Sequence, residues 1–575
     1  MLASRNDNRG RLAPGVFLLA TLAAAPAGAE ECRPAGAAPG LCRNDFSIDL
    51  YQGPVLAPLQ VMALGGAYAA MASGVDGLGQ NTASAAVRMP YSLSTFDYDV
   101  SLSFYLPGAF GKTDFDNRGE VGFNSFAFFY SLGAQAQWGP WGFAALLDFQ
   151  RYTLAPQPGS TLPPAVIQIG RLRVAGGSLM IQNQATLGVG LRGVRATVDA
   201  LASSSQLTEV FLPPTTNLLA MTGVSPEVGL VLHPDYVPWR LGITYRLPVA
   251  ASGSPDTRVA VGSDGVRRAA GLALPSRVEW PWELEVGVAL SAGPRPLNPR
   301  WLDPRDHESS ARQAVEEARA ARRKAREVEL ASLPDPDARR ERLAELEREE
   351  FRLAVEENAR LADLRRLLEE ERQARYENWP RPRILILADL LLTGSTSDGV
   401  GLQSFLRQED VPSGSSVTYQ PRLGIEGEPI LNRMMTRVGT YIEPSRYQIP
   451  DGPGFLAGAR QHFTFGLEVR AFSSSLFGLV KTKQFTVNLA GDLAPRYQNL
   501  GLSLGTWHLP LCCGARKVIP RQVTPPRRLL LGLLPLLAAL ALAAALWPRR
   551  GRSAPAGSRT SATPPWWAWG ARTPR

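Results

Sequence analysis

Leu284, Val286, Val288 and Leu290 alternate with Glu283, Glu285, Gly287 and Ala289. The same period of two recurs in Leu241, Ile243, Tyr245 and Leu247 against Arg240, Gly242, Thr244 and Arg246. It returns in Phe463, Phe465, Leu467 and Val469 against Thr464, Gly466, Glu468 and Arg470, and in Leu500, Leu502 and Leu504 against Gly501, Ser503 and Gly505. Successive side chains of a strand point to opposite faces, so each stretch has one apolar and one polar face. One such stretch suits a soluble sandwich. Many, with arginine and glutamate on the second face, suit a lipid-facing wall around a water-accessible lumen. A soluble core would tolerate those charges poorly. The expected fold is an all-β transmembrane β-barrel of antiparallel strands.

Fourteen segments fit this pattern: 92–106, 120–137, 139–154, 165–182, 184–199, 224–234, 239–248, 281–293, 382–394, 417–428, 432–443, 461–472, 483–492 and 496–507. Outer-membrane barrels join strands by short periplasmic turns and long extracellular loops. After even-numbered segments the links are mostly short, as at Gly139-Pro140 and Pro234 to Pro238; after odd-numbered ones they are mostly long, as at 200–223, 249–280 and 395–416. The parity supports the count and places the chain ends at the periplasmic side.

Composition agrees. Hydrophobic residues make up 45%, with 54 glycines and 47 prolines, yet mean hydropathy is −0.09; apolar residues are spread through many short elements rather than gathered into spanning runs. Residues 1–29 read as a secretory signal: Arg5, Arg9 and Arg11, an apolar core from Val16 to Ala25, then Ala27-Gly28-Ala29 before Glu30. Cys32 and Cys42 follow closely. An oxidising periplasm allows them to pair, and two free thiols are the other reading.

Residues 30–90 form an N-terminal periplasmic or hatch segment. Its run Leu64-Gly65-Gly66-Ala67-Tyr68-Ala69-Ala70-Met71-Ala72, then Gly74-Val75-Asp76-Gly77-Leu78 and Gln80-Asn81-Thr82-Ala83, resembles the N-terminal segment of the hydrophobic-compound channels typified by the fatty-acid transporter FadL. There a Gly-Gly-Ala stretch leads through an acidic residue to Asn-Pro-Ala; here Asn81 and Ala83 match and Thr82 replaces the proline. Val228 to Tyr245, Arg422 to Glu443 and Arg496 to Trp507 are similar to the family's strands, so the likeness covers about 54–507 apart from one insertion. The related secretion barrel PorV shares the general pattern. The resemblance implies a hatch inside the barrel, capture of hydrophobic ligands from outside, and Gly65, Gly66, Asp76, Asn81 and Ala83 as hatch or ligand residues. For Gly65 and Gly66 a turn or close packing is the plainer reading.

Other motifs lead nowhere. Gly188-Val189-Gly190-Leu191-Arg192-Gly193 matches a dinucleotide fingerprint, but its glycines alternate with Leu187, Val189 and Leu191 as a strand's would, and no helix follows. His233, His307, His462 and His508 are scattered without metal-ligand spacing. No serine has a recognisable histidine and acid arrangement. The expectation is no enzyme, no metal and no cofactor.

Residues 91–302 hold strands one to eight and 381–508 hold nine to fourteen. Between them, 303–380 is dominated by Ala, Arg, Glu and Leu, with Pro334-Asp335-Pro336-Asp337 as the one strong breaker. This reads as a helical hairpin with arms near 308–331 and 337–376. Leu343, Leu346, Phe351, Leu353, Leu361, Leu364, Leu367 and Leu368 would form one apolar stripe on the second arm. Parity places the hairpin in the periplasm, where 303–378 either docks a protein or cell-wall partner or is a self-paired spacer.

The tail, 509–575, has no acidic residue and carries +11; the whole chain carries +9, so residues 1–508 carry −2. The basic balance is thus a tail property and gives no warrant for nucleic-acid binding. Its apolar run 529–547, between Arg527-Arg528 and Arg549-Arg550, reads either as an anchor helix or as the product of a reading-frame error. The functional expectation is passive uptake of fatty-acid-like hydrophobic molecules across the outer membrane, amid its lipid. A PorV-like secretion or surface-attachment scaffold is the alternative.

Overall fold

The computed structural model describes residues 39–507, less short internal stretches that include 155–164, 201–216, 252–258, 448–457 and 475–482. The signal segment, Cys32 and the tail lie outside the described residues.

Fourteen antiparallel strands close into one barrel. In chain order they are β1 (Phe96–Pro107), β2 (Asn124–Trp138), β3 (Trp141–Leu154), β4 (Ala165–Met180), β5 (Ala185–Ala200), β6 (Asn217–Leu232) and β7 (Trp239–Arg246). There follow β8 (Glu283–Ala292), β9 (Ile384–Thr393), β10 (Thr418–Ile430), β11 (Met434–Glu443), β12 (Arg460–Ser474), β13 (Lys483–Ala494) and β14 (Tyr497–Thr506). Each strand pairs with its sequence neighbours, and β14 closes on β1 with Leu102 opposite Leu504 and Phe104 opposite Leu502.

The period of two is realised as two surfaces. Phe143, Val189, Leu191, Leu502 and Leu504 stand outward and exposed, while Ser103, Thr186, Thr244, Glu285, Asp492 and Asn499 are buried inside. Trp138, Trp141 and Trp239 face outward beside the short turns, where an interfacial aromatic girdle sits. A closed, even-stranded barrel with an apolar outer belt is an outer-membrane architecture, since closure leaves no unpaired strand edge in lipid. Among the described residues no helix is long and apolar enough to cross a membrane.

The short links Gly139-Pro140, 181–184, 233–238 and 431–433 lie at one end, and the long loops at the other, with Pro495-Arg496 a tight turn among them. β6 starts seven residues earlier than its alternation predicts, at Asn217. The extension pairs with β5 and packs against a loop strand, Val249–Ala251, so close that a Cβ on Gly223 would meet the Ala250 carbonyl oxygen at 2.8 Å.

Two helices, α1 (Pro304–Ser332) and α2 (Pro336–Glu377), leave from the short-turn end between β8 and β9. At 1.5 Å per residue they extend roughly 44 and 63 Å. The seam between them differs from the expected stripe. Leu343, Leu346, Leu353, Leu361, Leu364 and Leu368 are half-buried, but Phe351 and Leu367 are 74% and 58% exposed. Helical rotation of 100° per residue turns Phe351 away from α1. Ion pairs knit the seam: Glu308–Arg365 (2.8 Å), Arg319–Glu357 (2.8 Å), Arg326–Glu350 (2.9 Å) and Glu329–Arg342 (2.7 Å).

The N-terminal segment departs from expectation at its start. Residues 39–51 lie among the long loops, not at the short-turn end. Ser47–Asp49 inserts in parallel between the loop strands Arg277–Trp280 and Gly399–Gly401. Such short strands show no readable period, and each of these gains its partners only from distant loops. The chain then runs through the lumen and reaches β1 at the short-turn end.

Candidate functional site: the hatch and the chamber beside it

Residues 54–89 occupy the lumen, and their backbone polar groups must find partners there. Pro58 opens a four-residue helix, Leu59–Met62. Gly65 and Gly66 end it with φ of 65° and 82°, donating to Met62 and Val61 carbonyls. Only glycine takes these angles freely. A Cβ on Gly65 would also stand 2.9 Å from the Thr440 carbonyl oxygen. Gly65 and Gly66 thus form a turn that is seated directly against β11 of the wall.

Asn81 is the knot of the segment. It is buried, its Oδ1 accepts from the Ala83 N–H (3.0 Å), and its Nδ2 donates to the carbonyls of Ala69 (3.0 Å) and Leu230 (3.1 Å). One side chain thus caps the short helix Thr82–Ala85, ties two hatch turns together and binds them to β6. Asp76 and Ala83 are buried nearby. Gly65, Gly66, Asp76, Asn81 and Ala83 are all buried within the segment 54–89.

The wall supplies partners that the sequence did not point out. Asp389 of β9 accepts the N–H groups of Tyr68 (2.7 Å) and Ala69 (2.8 Å) on one carboxylate oxygen. Asp99 of β1 accepts that of Val75 (2.8 Å). Gln135 donates to the Ser84 and Ala85 carbonyls, Gln137 to Ala85 and Val87, and Thr464 to Ala63. The available signal was a lone carboxylate in the apolar run Ile384 to Leu392.

Glycines make room for this close seating. A Cβ on Gly142 would lie 1.8 Å from the Ala85 oxygen, on Gly188 2.4 Å from Thr82, on Gly242 2.1 Å from the Ala69 oxygen, and on Gly439 2.3 Å from Leu64. The false dinucleotide motif owes its first glycine to this contact.

Beside the hatch turn 54–58 the wall carries an interlaced set of charges. Arg246 meets Glu285 (2.8 Å) and Glu283 (3.4 Å), Arg422 meets Glu285 (2.8 Å), and Arg192 meets Glu283 (3.0 Å). The guanidiniums of Arg192, Arg171 and Arg173 lie 4.3, 4.7 and 5.2 Å from the ring of Trp280. A chamber of about 80 Å³ remains between these residues and the hatch. On another side, His462 sits between Asp492 (2.8 Å) and Glu443 (2.6 Å); Asp492 also accepts from the Tyr441 hydroxyl, which itself accepts the hatch N–H of Val55.

At the long-loop end Asp49 pairs with Arg446 (3.1 Å) and accepts from Thr396 and Ser413. Arg43 grips Asp410 through two nitrogens (2.9 and 3.1 Å). Cys42 is disulfide-bonded. Among the described residues no group of acids, histidines and cysteines could hold a metal ion.

No family model matches the sequence, and no curated protein matches it. Solved structures do. The chain is similar to the Ralstonia pickettii toluene transporter TbuX (10% identity, 79% of this chain and 98% of that one, TM-score 0.40). It is similar to a Pseudomonas aeruginosa FadL homologue (9%, 80% and 99%, 0.39). It is also similar to the CymD monoaromatic hydrocarbon channel (9%, 79% and 97%, 0.38).

Proposed function

We propose that this protein is an outer-membrane channel for passive uptake of hydrophobic small molecules of fatty-acid-like character. The observation that carries the reading is the filled lumen. A porin leaves an aqueous channel, whereas here the chain's own N-terminal segment occupies the barrel and lumen-facing polar residues such as Thr186, Glu285 and Asp492 are buried. Among the described residues the lumen is thus plugged rather than left as a wide aqueous pore of the porin kind. An apolar molecule needs only a route past the polar surface layer to the hatch or the lipid, and burial of its area, at about 25 cal/mol per Å², supplies the driving force. Gly65, Gly66, Asn81 and Ala83 keep the hatch in place; Asp76 lies within the same plug.

The test is uptake of a radiolabelled long-chain fatty acid by cells producing the protein, beside conductance of the purified protein in a planar bilayer. Faster uptake with negligible ion conductance is expected. Uptake no faster than in cells lacking the protein would end the reading.

A second reading, a scaffold that docks a periplasmic protein or the cell wall through α1 and α2, draws on the projection of that hairpin from the short-turn end and on exposed Phe351 and Val355. Removal of 304–377 with uptake preserved and a co-purifying protein lost would favour it.

A further inference from the structure

The charges beside the hatch do more than brace the wall. Four guanidiniums (Arg171, Arg173, Arg246, Arg422) and three carboxylates (Asp148, Glu283, Glu285) line the chamber, so its lining carries one net positive charge. Among the lining groups, Arg422 Nε and the Tyr51 hydroxyl are buried with no hydrogen-bond partner among the described residues. A buried donor left open is costly, and an anionic oxygen would offset that cost. Gln80 adds a polar side chain, and the apolar part of the lining comes from Val55, Leu56 and Pro58 of the hatch, Leu146 of β3 and Leu391 of β9.

We propose that this chamber binds a short-chain monocarboxylate. The open Nε–H of the Arg422 guanidinium offers a carboxylate oxygen a charge-assisted hydrogen bond, the single excess charge matches one anionic group, and the apolar lining takes a short aliphatic remainder. Size sets the limit: about 80 Å³ is far below the roughly 300–1,000 Å³ of sites for drug-sized ligands, so a long chain does not fit. The inference does not depend on the hydrophobic-uptake reading, because it concerns the polar side of the lumen and a ligand class that needs no greasy pocket.

Equilibrium dialysis of radiolabelled propionate against the purified full chain, with chloride balancing ionic strength, tests it. One saturable propionate per chain is expected, displaced by acetate and not by octanoate. Arg171→Gln removes a lining charge, and Leu391→Phe fills the void while leaving every charge in place; each should weaken binding at least about tenfold. Both variants are scored only after heat-modifiable migration shows a folded barrel, and Leu391→Phe is decisive where Arg171→Gln fails that check. Undiminished binding to Leu391→Phe, binding no stronger than the chloride control, or equal displacement by octanoate would each overturn the proposal.

Discussion

Gly188 and Thr82 touch so closely that a Cβ on the glycine would lie 2.4 Å from the carbonyl carbon of the threonine. They stand 106 residues apart, one on the barrel wall and one on the hatch. What meets at that point is backbone, which cannot rotate aside as a side chain can. The contact makes the glycine a condition of the seated hatch and of little else, because both neighbouring strands pair through Gly188 by main-chain bonds.

Gly188→Leu should therefore unseat the hatch and leave the barrel. Overpacking a filled interior costs typically about 1–3 kcal/mol, and here the hatch can escape it by withdrawing. The expected outcome is a heat-modifiable, folded barrel whose single-channel conductance rises from near zero to that of a water-filled pore. Unchanged conductance in a folded variant would show that the hatch tolerates the side chain.

Asp389 leads to a graded prediction. Its Oδ2 accepts two hatch N–H groups, so Asp389→Leu leaves two buried donors open, at about 1–3 kcal/mol each. Asp389→Asn keeps an oxygen there and should cost less. Hydrogen exchange at Tyr68 and Ala69 is the readout: faster in Asn, fastest in Leu, with the strands protected throughout. Equal exchange in all three proteins would remove Asp389 from the set that holds the hatch.

The wall was legible in the sequence and the plug's seating was not, for a physical reason. Lipid outside and polar groups inside each impose a residue type on alternate positions, so Glu283 to Ala292 announces its two faces within ten residues. The hatch contacts obey no local period. Asn81 reaches Leu230 and Gly142 accommodates Ala85, pairings set by how the closed barrel brings distant residues to one level. Asp389 could be read as lumen-facing, but its task appears only once Tyr68 and Ala69 stand before it. Ser47–Asp49, with three residues, is too short for any period to show.

A loop contact gives a pH dependence. Asp116 lies between β1 and β2, accepting from the Tyr447 hydroxyl at 2.6 Å, and burial pushes its carboxyl up to about 6. A carboxyl raised on folding holds its proton more tightly in the folded state. Its contribution to loop docking is full below the ordinary carboxyl range, near 3.9, and falls as pH rises through about 6. The Tyr447 hydroxyl opposes the shift, so Tyr447→Phe should raise the carboxyl further. NMR titration of the Asp116 side-chain carbon checks both points; a midpoint below 4 in the native protein would contradict them.

The helical hairpin should respond in the opposite sense. Glu308 and Glu357 are held below the usual glutamate range, chiefly by hydrogen bonds from Arg365 and Arg319 across the seam. A carboxyl lowered on folding contributes stability above its ordinary value, near 4.3, and loses it as pH falls through the depressed one. Leucines on α2 are only half-buried, so little apolar burial remains to hold the arms once the glutamates take up protons. These pairs are exposed enough for salt to screen them. Spin labels at the exposed positions Arg312 and Ala362 should report one short distance at pH 7 and low salt. That distribution should broaden and lengthen toward pH 3, and to a lesser degree in 1 M salt, while β-barrel migration on gels stays unchanged. A distance distribution that does not move at pH 3 would mean that α1 and α2 are held by apolar packing alone, and that the arginine–glutamate seam is incidental.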